Sequence, residues 1–525
     1  MEEKRPDTLR ERIGREGLLS RGLCAVHVLF FALVHILFFR NGFFDINRSK
    51  YSLLLCACAL TAGLGLIFLC AEHILRGPYA SRGGFRLRAG PAGALLLTCA
   101  AFASACLCPD PLAGLTGSEG RCMGALCIAA MCFLYACCLH ARLGALPVVG
   151  ALTVSGVLCA GLGVLNFLRF DPLGFYVPAL QPIYHDDFIS TIGNINFFSA
   201  YMCLMLGLCA GLFLRTDGRR AYLWLLPLCL CMMGLLAARS ESGFVGLAAV
   251  ALAMCAGKMR SMREAGRACV LLGALALSCA LLGALVCWRG EHTMELYPGI
   301  ATTLLRSPRA VLLLGALALG GAAFFFTRRE SAANVHRLRR AQNALLLLAA
   351  AALAAVVGLM VYFTALRPDA PLSGPMALLR MDVRWGTFRG FIWQKTAALY
   401  AQLPPLQKLL GVGPDLLKPL LEAECYDEMV RLTGILFDNA HNEYLQLLIT
   451  TGALGLAGYL LMVAGALRAL WQNMREQPAL FGCFLALCAH LAQAAFNIAQ
   501  PETTPAVFLL LAVGTAAAQQ RRPSQ

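Results

Sequence analysis

The apolar residues of this chain fall into long blocks, and that arrangement constrains the fold more than any other feature of the sequence. Each block runs for about 17 to 25 residues, the length of helix that crosses a hydrocarbon core of roughly 30 Å. Only 14% of the 525 residues are charged, against about a quarter in an ordinary soluble protein. Because lipid offers the backbone no hydrogen-bond partner, consecutive spans must be helices. The chain is therefore predicted to be an all-α polytopic membrane protein.

About fourteen transmembrane helices are predicted, within a range of 12–14. The spans are 23–39, 52–72, 91–108, 122–140, 144–168, 197–214, 221–237, 242–257, 268–287, 310–326, 343–363, 444–467, 478–495 and 503–519. The predicted parts of the chain are a cytoplasmic N-terminal segment (1–22), helices 1 to 11 (23–363), a large extracytoplasmic loop with short helices (364–443), helices 12 to 14 (444–519) and a cytoplasmic tail (520–525). One short helix is expected near Thr387–Gln402 in the loop.

The distribution of lysine and arginine predicts the sidedness of the chain. Of the 44 Lys and Arg residues, 27 lie in segments on the side of the N-terminus, 9 in short segments on the other side and 8 in the long loop. Since positive charge is retained in the cytoplasm, both termini are predicted to be cytoplasmic and the long loop outside. No basic run is interleaved with aromatic residues, so the net charge of +15 does not indicate nucleic-acid binding.

The 24 cysteines lie almost all inside apolar blocks, where a free thiol packs as a small hydrophobe. No paired C-x-x-C motifs have the spacing of a zinc site, and we expect neither a metal nor a cofactor. Cys108 and Cys122 flank one short outer segment and could pair.

His441 lies where the long loop meets the next apolar block, in the stretch Asp438–Leu445. A histidine at a membrane interface can titrate near neutral pH and accept a proton from an attacking hydroxyl. The plainer interpretation is that His441 only begins a helix, with Asn439 as its N-cap. Position alone favours the plainer interpretation.

Three arginines, Arg380, Arg384 and Arg389, lie in the first part of the same loop, with Asp382 between the first two. Guanidinium groups present planar forks that match phosphate oxygens. Arg380 and Arg384 would share one face if that stretch were helical, and bringing Arg389 to them would need a bend. Alternatively the three form a solvated surface paired with nearby acids, or Arg389 stacks on Trp393.

Two further outer sites carry polar residues. A very tight turn between two spans holds Arg239 and Glu241, which are either functional or simply paired with each other. At the entrance of the sixth span, Asn194 and Asn196 could cap the helix or help its N-terminus to hold a sugar or phosphate.

Four short motifs follow one another across these segments. They are G-N-x-N-F at 193–197, R-x-x-x-W at 389–393, G-V-G at 411–413 and H-N-x9-G-x-x-G at 441–455. In order and in side of the membrane they resemble the O-antigen ligase and polymerase superfamily of membrane glycosyltransferases. The likeness covers roughly residues 190 to 470.

The resemblance implies ligation or polymerisation of a glycan carried on a polyprenyl diphosphate, usually undecaprenyl diphosphate. The acceptor would be a hydroxyl-bearing glycan, lipid or protein at the outer face of the cytoplasmic (inner) membrane, and transfer would be metal-independent and inverting. Carried over by position, His441 would be the catalytic base, and Arg389 would steady the donor diphosphate as it leaves. Further candidates are Arg384 and Arg239 for the diphosphate, and Asn194, Asn196 and Asn442 for substrate binding.

One position departs from the family pattern, because Glu241 stands where the family has arginine. Arg239, Arg384 or Arg380 could supply that charge. The chain also carries two extra helices before the long loop, relative to a twelve-helix version of the fold. The alternative from another class is a transporter or flippase of lipid-linked glycans, which should place ionisable residues within several spans; these spans are nearly free of them. A membrane scaffold without chemistry is the third interpretation.

Overall fold

The computed structural model describes residues 16–76, 88–118, 120–181, 184–475 and 477–518. It is 77% helical. The described residues contain one small sheet, in which β1 (Phe188–Ile189) pairs antiparallel with β2 (Gly193–Asn194). The prediction of an all-α fold is therefore confirmed. Most of the predicted segment 1–22 and the whole of the predicted tail 520–525 lie outside the described residues.

Among the described residues, ten helical stretches are long and apolar enough to cross a bilayer. They are α1 (Leu18–Leu33, continued by a 3-10 turn at His35–Leu37), α2 (Ile46–Arg76), α3 (Ala89–Leu107), α6 (Ala145–Phe167), α8 (Ile195–Arg215), α9 (Leu225–Ala238, preceded by a 3-10 turn at Arg219–Trp224), α11 (Met262–Arg289), α13 (Pro308–Thr327), α14 (Ala332–Val361, continued by a π turn at Tyr362–Leu366) and α18 (Glu443–Asn473).

Four shorter apolar helices accompany them, each 14 to 17 residues long. They are α5 (Ala125–Ala141), α10 (Glu241–Ala256), α19 (Pro478–Ala494) and α20 (Thr504–Ala517). Each predicted span overlaps one of these long or shorter helices. The number of helices that cross the membrane stays a prediction, because the four shorter ones fall below the usual spanning length.

The remaining short helices lie outside the predicted spans. They are α4 (Pro111–Thr116), α7 (Tyr184–Asp187), α12 (Ile300–Arg306), a 3-10 turn (Gly374–Leu379), α15 (Trp385–Gln402), α16 (Pro405–Leu410) and α17 (Leu417–Thr433). The short helix predicted near Thr387–Gln402 is present as α15. The assignment of 364–443 to the extracytoplasmic side stays a prediction.

Close helix packing holds α3 against α18 and α8 against α19. Helix α8 lies at the centre of the bundle, with 94% of its most apolar window buried, compared with none of that of α14. Glycine allows α3 and α18 to approach closely, since a Cβ on Gly93 would lie 2.5 Å from the Gly458 carbonyl oxygen. Helices α8 and α19 meet in the same way at Gly207, where a Cβ would lie 2.6 Å from the Ala486 nitrogen. Small residues at such crossings are typical of membrane bundles.

Helix α18 is broken at Gly452, whose φ of 69° is outside helical geometry. In a regular helix, the Ile449 and Thr450 carbonyls would accept the N–H groups of the residues four positions further along the chain. The break at Gly452 removes these donors. The G-V-G turn supplies other donors, because Val412 N–H donates to Ile449 at 3.0 Å and Gly413 N–H donates to Thr450 at 3.1 Å. The G-V-G motif and the first glycine of the H-N-x9-G-x-x-G motif therefore form one packing arrangement.

Two local possibilities that the sequence left open are not realised in the structure. Arg380 and Arg384 do not share a helical face, because residues 380–384 are not helical. The Asp382 carboxylate accepts the Arg384 backbone N–H at 2.9 Å, and such a local bond competes with helix formation. The possible disulfide is not formed either, since Cys108 and Cys122 are both free thiols.

Candidate active site

His441 lies in a turn between α17 and α18 that several hydrogen bonds fix. Its N–H donates to Asn439 Oδ1 at 2.8 Å. Trp393 Nε1–H donates to the Ala440 carbonyl at 2.9 Å, and the Ala440 N–H donates to Gln446 Oε1 at 2.9 Å. The φ of His441 is +47°, a left-handed conformation that costs about 1 kcal/mol for a residue other than glycine. The surrounding bonds hold the residue in this conformation, as is common at functional sites.

The N-cap of α18 is Asn442, whose Oδ1 accepts the Leu445 N–H at 3.0 Å. The expectation that Asn439 caps this helix is therefore wrong. Asn439 lies too early in the chain to reach the first free N–H groups of a helix that begins at Glu443, and it closes the turn around His441 instead.

Arg121 belongs to the site although none of the four motifs contains it. It comes from the segment between α4 and α5 and forms a bidentate ion pair with Asp438, with Nε–Oδ2 at 2.6 Å and Nη2–Oδ1 at 3.1 Å. Asp438 also accepts a hydrogen bond from the Asn439 side chain. These contacts connect Arg121 to the turn that holds His441. A lone arginine beside an apolar block was the only sequence signal, and its partner lies 317 residues away.

Arg389 follows a short left-handed turn at Gly386–Phe388, which separates Trp385 from the regular part of α15. Its Nη1 donates to the Gly386 carbonyl at 2.9 Å, while its buried Nε has no partner. Burial lowers the pKa of Arg389 below its usual value, which indicates a partly desolvated cation that is not neutralised. Arg384 is exposed, and its guanidinium has no hydrogen-bond partner among the residues that the structure describes.

The R-x-x-x-W spacing places Trp393 one helical turn after Arg389. Its ring lies 5.4 Å from that of Trp385 and 5.9 Å from that of Phe496, between centroids. Since the indole N–H holds the carbonyl of Ala440, this face of α15 contacts the His441 turn directly. The aromatic rings shield that contact from solvent.

The electrostatic environment keeps His441 neutral. Burial lowers its pKa to about 4, and the positive charges of Arg389 and Arg121 act in the same direction, while Asp438 opposes them. Burial raises the pKa of Asp438, but the charge and the hydrogen bonds of Arg121, together with smaller effects of His441 and Asn439, bring that pKa below its usual value. His441 is thus an uncharged imidazole at neutral pH, able to accept a proton, with an unneutralised arginine nearby.

A small cavity of about 60 Å³ lies beneath the turn. Its polar lining comprises Arg121, Asp415, Asn439, Glu443, Gln446, Thr450, Tyr459, Gln500 and Thr504. Burial raises the pKa of Asp415 to about 6, although hydrogen bonds from Ser118 and Met123 lower it. The volume admits only a few water molecules, so these groups support the turn and do not enclose a glycan.

A larger and more open groove, of about 490 Å³, lies between α15 and α18. It is lined by Met381, Trp393, Gln394, Ala397, Asn442, Tyr444, Leu445, Leu448 and Leu456. The groove therefore begins at Asn442, next to His441, and continues down α18 along an apolar wall.

Residues 296–460 match the family model described as O-antigen ligase. The matched stretch contains Arg389, Trp393, His441, Gly452 and the G-V-G turn, and it ends before α19. This part of the chain belongs to the O-antigen ligase family. None of the curated proteins matches the chain. The protein is accordingly a multi-pass membrane enzyme of glycosyltransferase type, which processes lipid-linked glycans in the manner of O-antigen ligases or polymerases.

Glu241, which replaces the arginine expected in the O-antigen ligase pattern, has a structural partner. Its carboxylate accepts the Ile300 N–H at 2.8 Å, at the start of α12. The Arg239 guanidinium donates to the carbonyls of Glu295, at 2.6 Å, and of Asp186. The alternative of an Arg239–Glu241 surface pair is therefore wrong for the described residues. The bonds from the Arg239 side chain hold the segments around Asp186 and Glu295 together, and a role of Arg239 at a diphosphate stays a prediction.

The two asparagines of the G-N-x-N-F motif form structural hydrogen bonds near the start of α8. Asn194 caps α8, since its Oδ1 accepts the Asn196 N–H at 2.9 Å, which confirms the capping interpretation. The Ser240 hydroxyl donates to Asn196 Oδ1 at 2.7 Å, and Asn497 Nδ2 donates to the backbone carbonyl of Asn196 at 3.2 Å. Asn497 follows Phe496, one of the rings stacked on α15. Substrate binding by either asparagine stays a prediction.

Proposed function

We propose that this protein transfers or polymerises a glycan from a polyprenyl-diphosphate-linked donor, such as an undecaprenyl diphosphate, onto a hydroxyl acceptor at the outer face of the cytoplasmic membrane. The observation that carries the proposal is a neutral His441 held in a fixed turn, close to the partly desolvated and unneutralised Arg389. A base and an anion-stabilising cation are the two groups that glycosyl transfer from a diphosphate requires.

In the proposed reaction the acceptor oxygen attacks the anomeric carbon of the donor sugar, and the bond from that carbon to the diphosphate oxygen breaks. The acceptor proton passes to the imidazole of His441. Arg389 stabilises the negative charge that develops on the departing diphosphate, without a metal ion. Arg121 acts as a positioning residue, since it holds Asp438 and through it the turn of His441. Asn442, at the mouth of the groove, contacts the substrate through its amide.

The donor itself is expected to activate the base. The charge of Arg389 lowers the pKa of His441 in the free protein. A diphosphate bound at Arg389 brings negative charge that offsets this effect, so the pKa of His441 rises and the imidazole becomes a stronger base. Proton transfer is then favoured only when the donor is in place.

The groove between α15 and α18 supports a lipid-borne substrate. Its wall of Leu445, Leu448 and Leu456 follows α18 from His441 towards the membrane interior. A polyprenyl chain can lie along this apolar wall while its diphosphate stays near Arg389. The alternative function, a transporter or flippase of lipid-linked glycans, has less support, because the predicted spans are nearly free of ionisable residues that could line a pathway.

Reconstitution in liposomes with a polyprenyl-diphosphate-linked glycan and a hydroxyl acceptor distinguishes the two functions. The proposal predicts release of free polyprenyl diphosphate together with a glycan-bearing acceptor. It also predicts that Arg389→Ala lowers the release by about 100-fold or more, whereas Arg431→Ala, an exposed arginine of the same loop, does not. Movement of intact donor across the bilayer without any release would contradict transfer and support transport.

A further inference from the structure

A strongly basic cavity lies at the end of the bundle that the Lys and Arg distribution assigns to the cytoplasm. It has a volume of about 910 Å³ and adjoins a second cavity of about 330 Å³. The ends of α8, α11 and α13 form the walls. The charged lining residues of the two cavities are Arg215, Arg219, Arg260, Arg263, Arg267 and Arg328, with Asp217, Glu264 and Glu330.

Two of the three acids are already engaged. Glu264 is shared between Arg215, at 3.2 Å, and Arg260, at 3.6 Å. Both carboxylate oxygens of Glu330 accept backbone N–H groups, from Met262 at 3.2 Å and Arg263 at 3.1 Å. Glu330 thus compensates the N-terminus of α11, and among the described residues it forms no ion pair with Arg219, Arg263, Arg267 or Arg328.

Arg267 carries a buried charge that no acid compensates. The residue is only 7% exposed, and its guanidinium donates to the carbonyls of Leu214 at 3.2 Å, Thr216 at 2.6 Å and Gly218 at 3.1 Å. In the described part of the chain no carboxylate lies within ion-pair distance of it. A desolvated cation bound only to carbonyl dipoles favours an anion nearby.

Exposed arginines surround this buried charge. Arg219, Arg263 and Arg328 are all exposed at the same cavity, and none forms an ion pair with a described residue. Among the described residues that line this cavity, Asp217 and Glu330 are the two acids that oppose these three arginines and Arg267. The cavity therefore carries an excess of positive charge, arranged as several guanidinium forks of the kind that bind phosphate oxygens.

The apolar part of the cavity wall connects it to the lipid-facing surface. Phe325 and Phe326 line the cavity at the end of α13. The same helix exposes Leu312, Leu313 and Leu317 by 52%, 62% and 64%. A ligand with a phosphate head and acyl chains can place its head among the arginines and its chains along α13.

We propose that this cavity binds the phosphodiester headgroup of an anionic membrane lipid in the cytoplasmic leaflet. Basic pockets between transmembrane helices on this side of a membrane suit such headgroups. The lipid neutralises Arg267 and its neighbours and ties α8, α11 and α13 together. The site lies at the opposite end of the bundle from His441 and is independent of the proposed transferase reaction.

The test measures the thermal unfolding of the purified full chain in zwitterionic detergent, titrated with phosphatidylglycerol or phosphatidylcholine. The site variant is Arg263→Gln/Arg328→Gln. The matched control is Arg337→Gln/Arg340→Gln, which removes the same charge from exposed positions at the start of α14. Phosphatidylglycerol is expected to raise the unfolding temperature of the natural chain and the control. The site variant should need about tenfold more of it, or higher, because two charge-assisted bonds are lost.

Three results would overturn the proposal. They are equal half-maximal phosphatidylglycerol concentrations for all three chains, an equal rise with phosphatidylcholine, and a full rise with inorganic phosphate alone at matched ionic strength, which would indicate a soluble phosphate ligand. If the double variant does not fold, Arg219→Gln is used with the same expectations.

Discussion

The polar residues around His441 each have a separate physical effect on it. Asn439 accepts its backbone N–H, and Asp438 holds Asn439 and is held by Arg121. Arg389 and Arg121 both lower its pKa. The proposed chemistry therefore also depends on Asn439, Asp438 and Arg121, which touch no reacting atom, and these can be tested one at a time.

Substitution of Asp438 by Asn is expected to slow transfer mainly by lowering kcat. Asn cannot replace the two charge-assisted bonds to Arg121, and a half-buried arginine is left without a counter-ion, at a cost of about 1–3 kcal/mol. The turn then loses its fixed geometry while donor binding at Arg389 is kept. The measurement is kcat and KM for the donor, with the unfolding temperature of each variant.

Glu428→Gln is the matched control for that substitution. Glu428 forms an ion pair with Lys395 at 2.5 Å in the same loop, but both side chains are more than 30% exposed, so the pair contributes about 0–1 kcal/mol. If Asp438→Asn changes kcat no more than Glu428→Gln does, Arg121 has no positioning role.

The pH dependence of transfer provides a second test at this scale. Because the pKa of His441 is lowered to about 4 in the free protein, the imidazole stays neutral as pH falls and protonates only near that value. The acid limb of kcat/KM should therefore lie well below the usual histidine range. The acid limb of kcat should lie at higher pH than that of kcat/KM, since a bound diphosphate raises the pKa of His441.

Arg389→Gln should also raise the acid limb of kcat/KM, because a positive charge that disfavours the imidazolium is removed. The measurement is the full pH profile of both parameters for the two chains. An acid limb of kcat/KM near pH 6.5 in the natural chain, unchanged by Arg389→Gln, would contradict the proposed environment of His441.

At the scale of elements, the broken helix α18 determines where the site is. The segment before Gly452 is capped by Asn442 at one end and bound by the G-V-G turn at the other. The same turn joins α16 to the segment leading into α17, so the loop is fixed against the membrane helix at the level of Thr450. This arrangement keeps His441 at the start of α18 and Arg389 on α15 near each other.

Gly411→Ala is expected to destabilise the protein strongly, by about 2–4 kcal/mol, from a left-handed φ and overpacking together. The φ of Gly411 is +86°, and a Cβ there would collide with the Thr450 backbone. Gly434→Ala is the control, because Gly434 has a φ of +65° with nothing within 4 Å of an added Cβ. The unfolding temperature should fall clearly more for Gly411→Ala. Equal changes would mean that the turn does not support α18.

The elements themselves could be predicted from sequence more completely than their contacts. Each predicted span overlaps a helix, because the length and apolar composition of a span are local properties. The N-cap was misplaced from Asn442 to Asn439, since both have the right chemistry and only the exact start of α18 decides between them. The spacing of Arg380 and Arg384 gives a shared face only if the stretch is helical, and spacing cannot reveal the local bond of Asp382 to the backbone that competes with a helix.

At the scale of the whole molecule, the site is assembled from distant parts of the chain. Arg121 and Asp438 are 317 residues apart, and Asp415 and Met123 are 292 apart. No local sequence pattern predicts such pairs, whereas His441 and Arg389 belong to motifs that can be recognised by their spacing. The family match over 296–460 covers these motifs, whereas Arg121, which contacts Asp438, lies outside the matched residues.

The most direct test of the central claim is the rate at which the reconstituted chain consumes a polyprenyl-diphosphate-linked glycan when His441 is replaced by Ala. The account predicts a fall of about 100-fold to 10,000-fold, the usual contribution of a positioned base. His292→Ala, an exposed histidine outside the site, should keep the natural rate. A folded and membrane-inserted His441→Ala protein that consumes the donor at the natural rate would contradict the account.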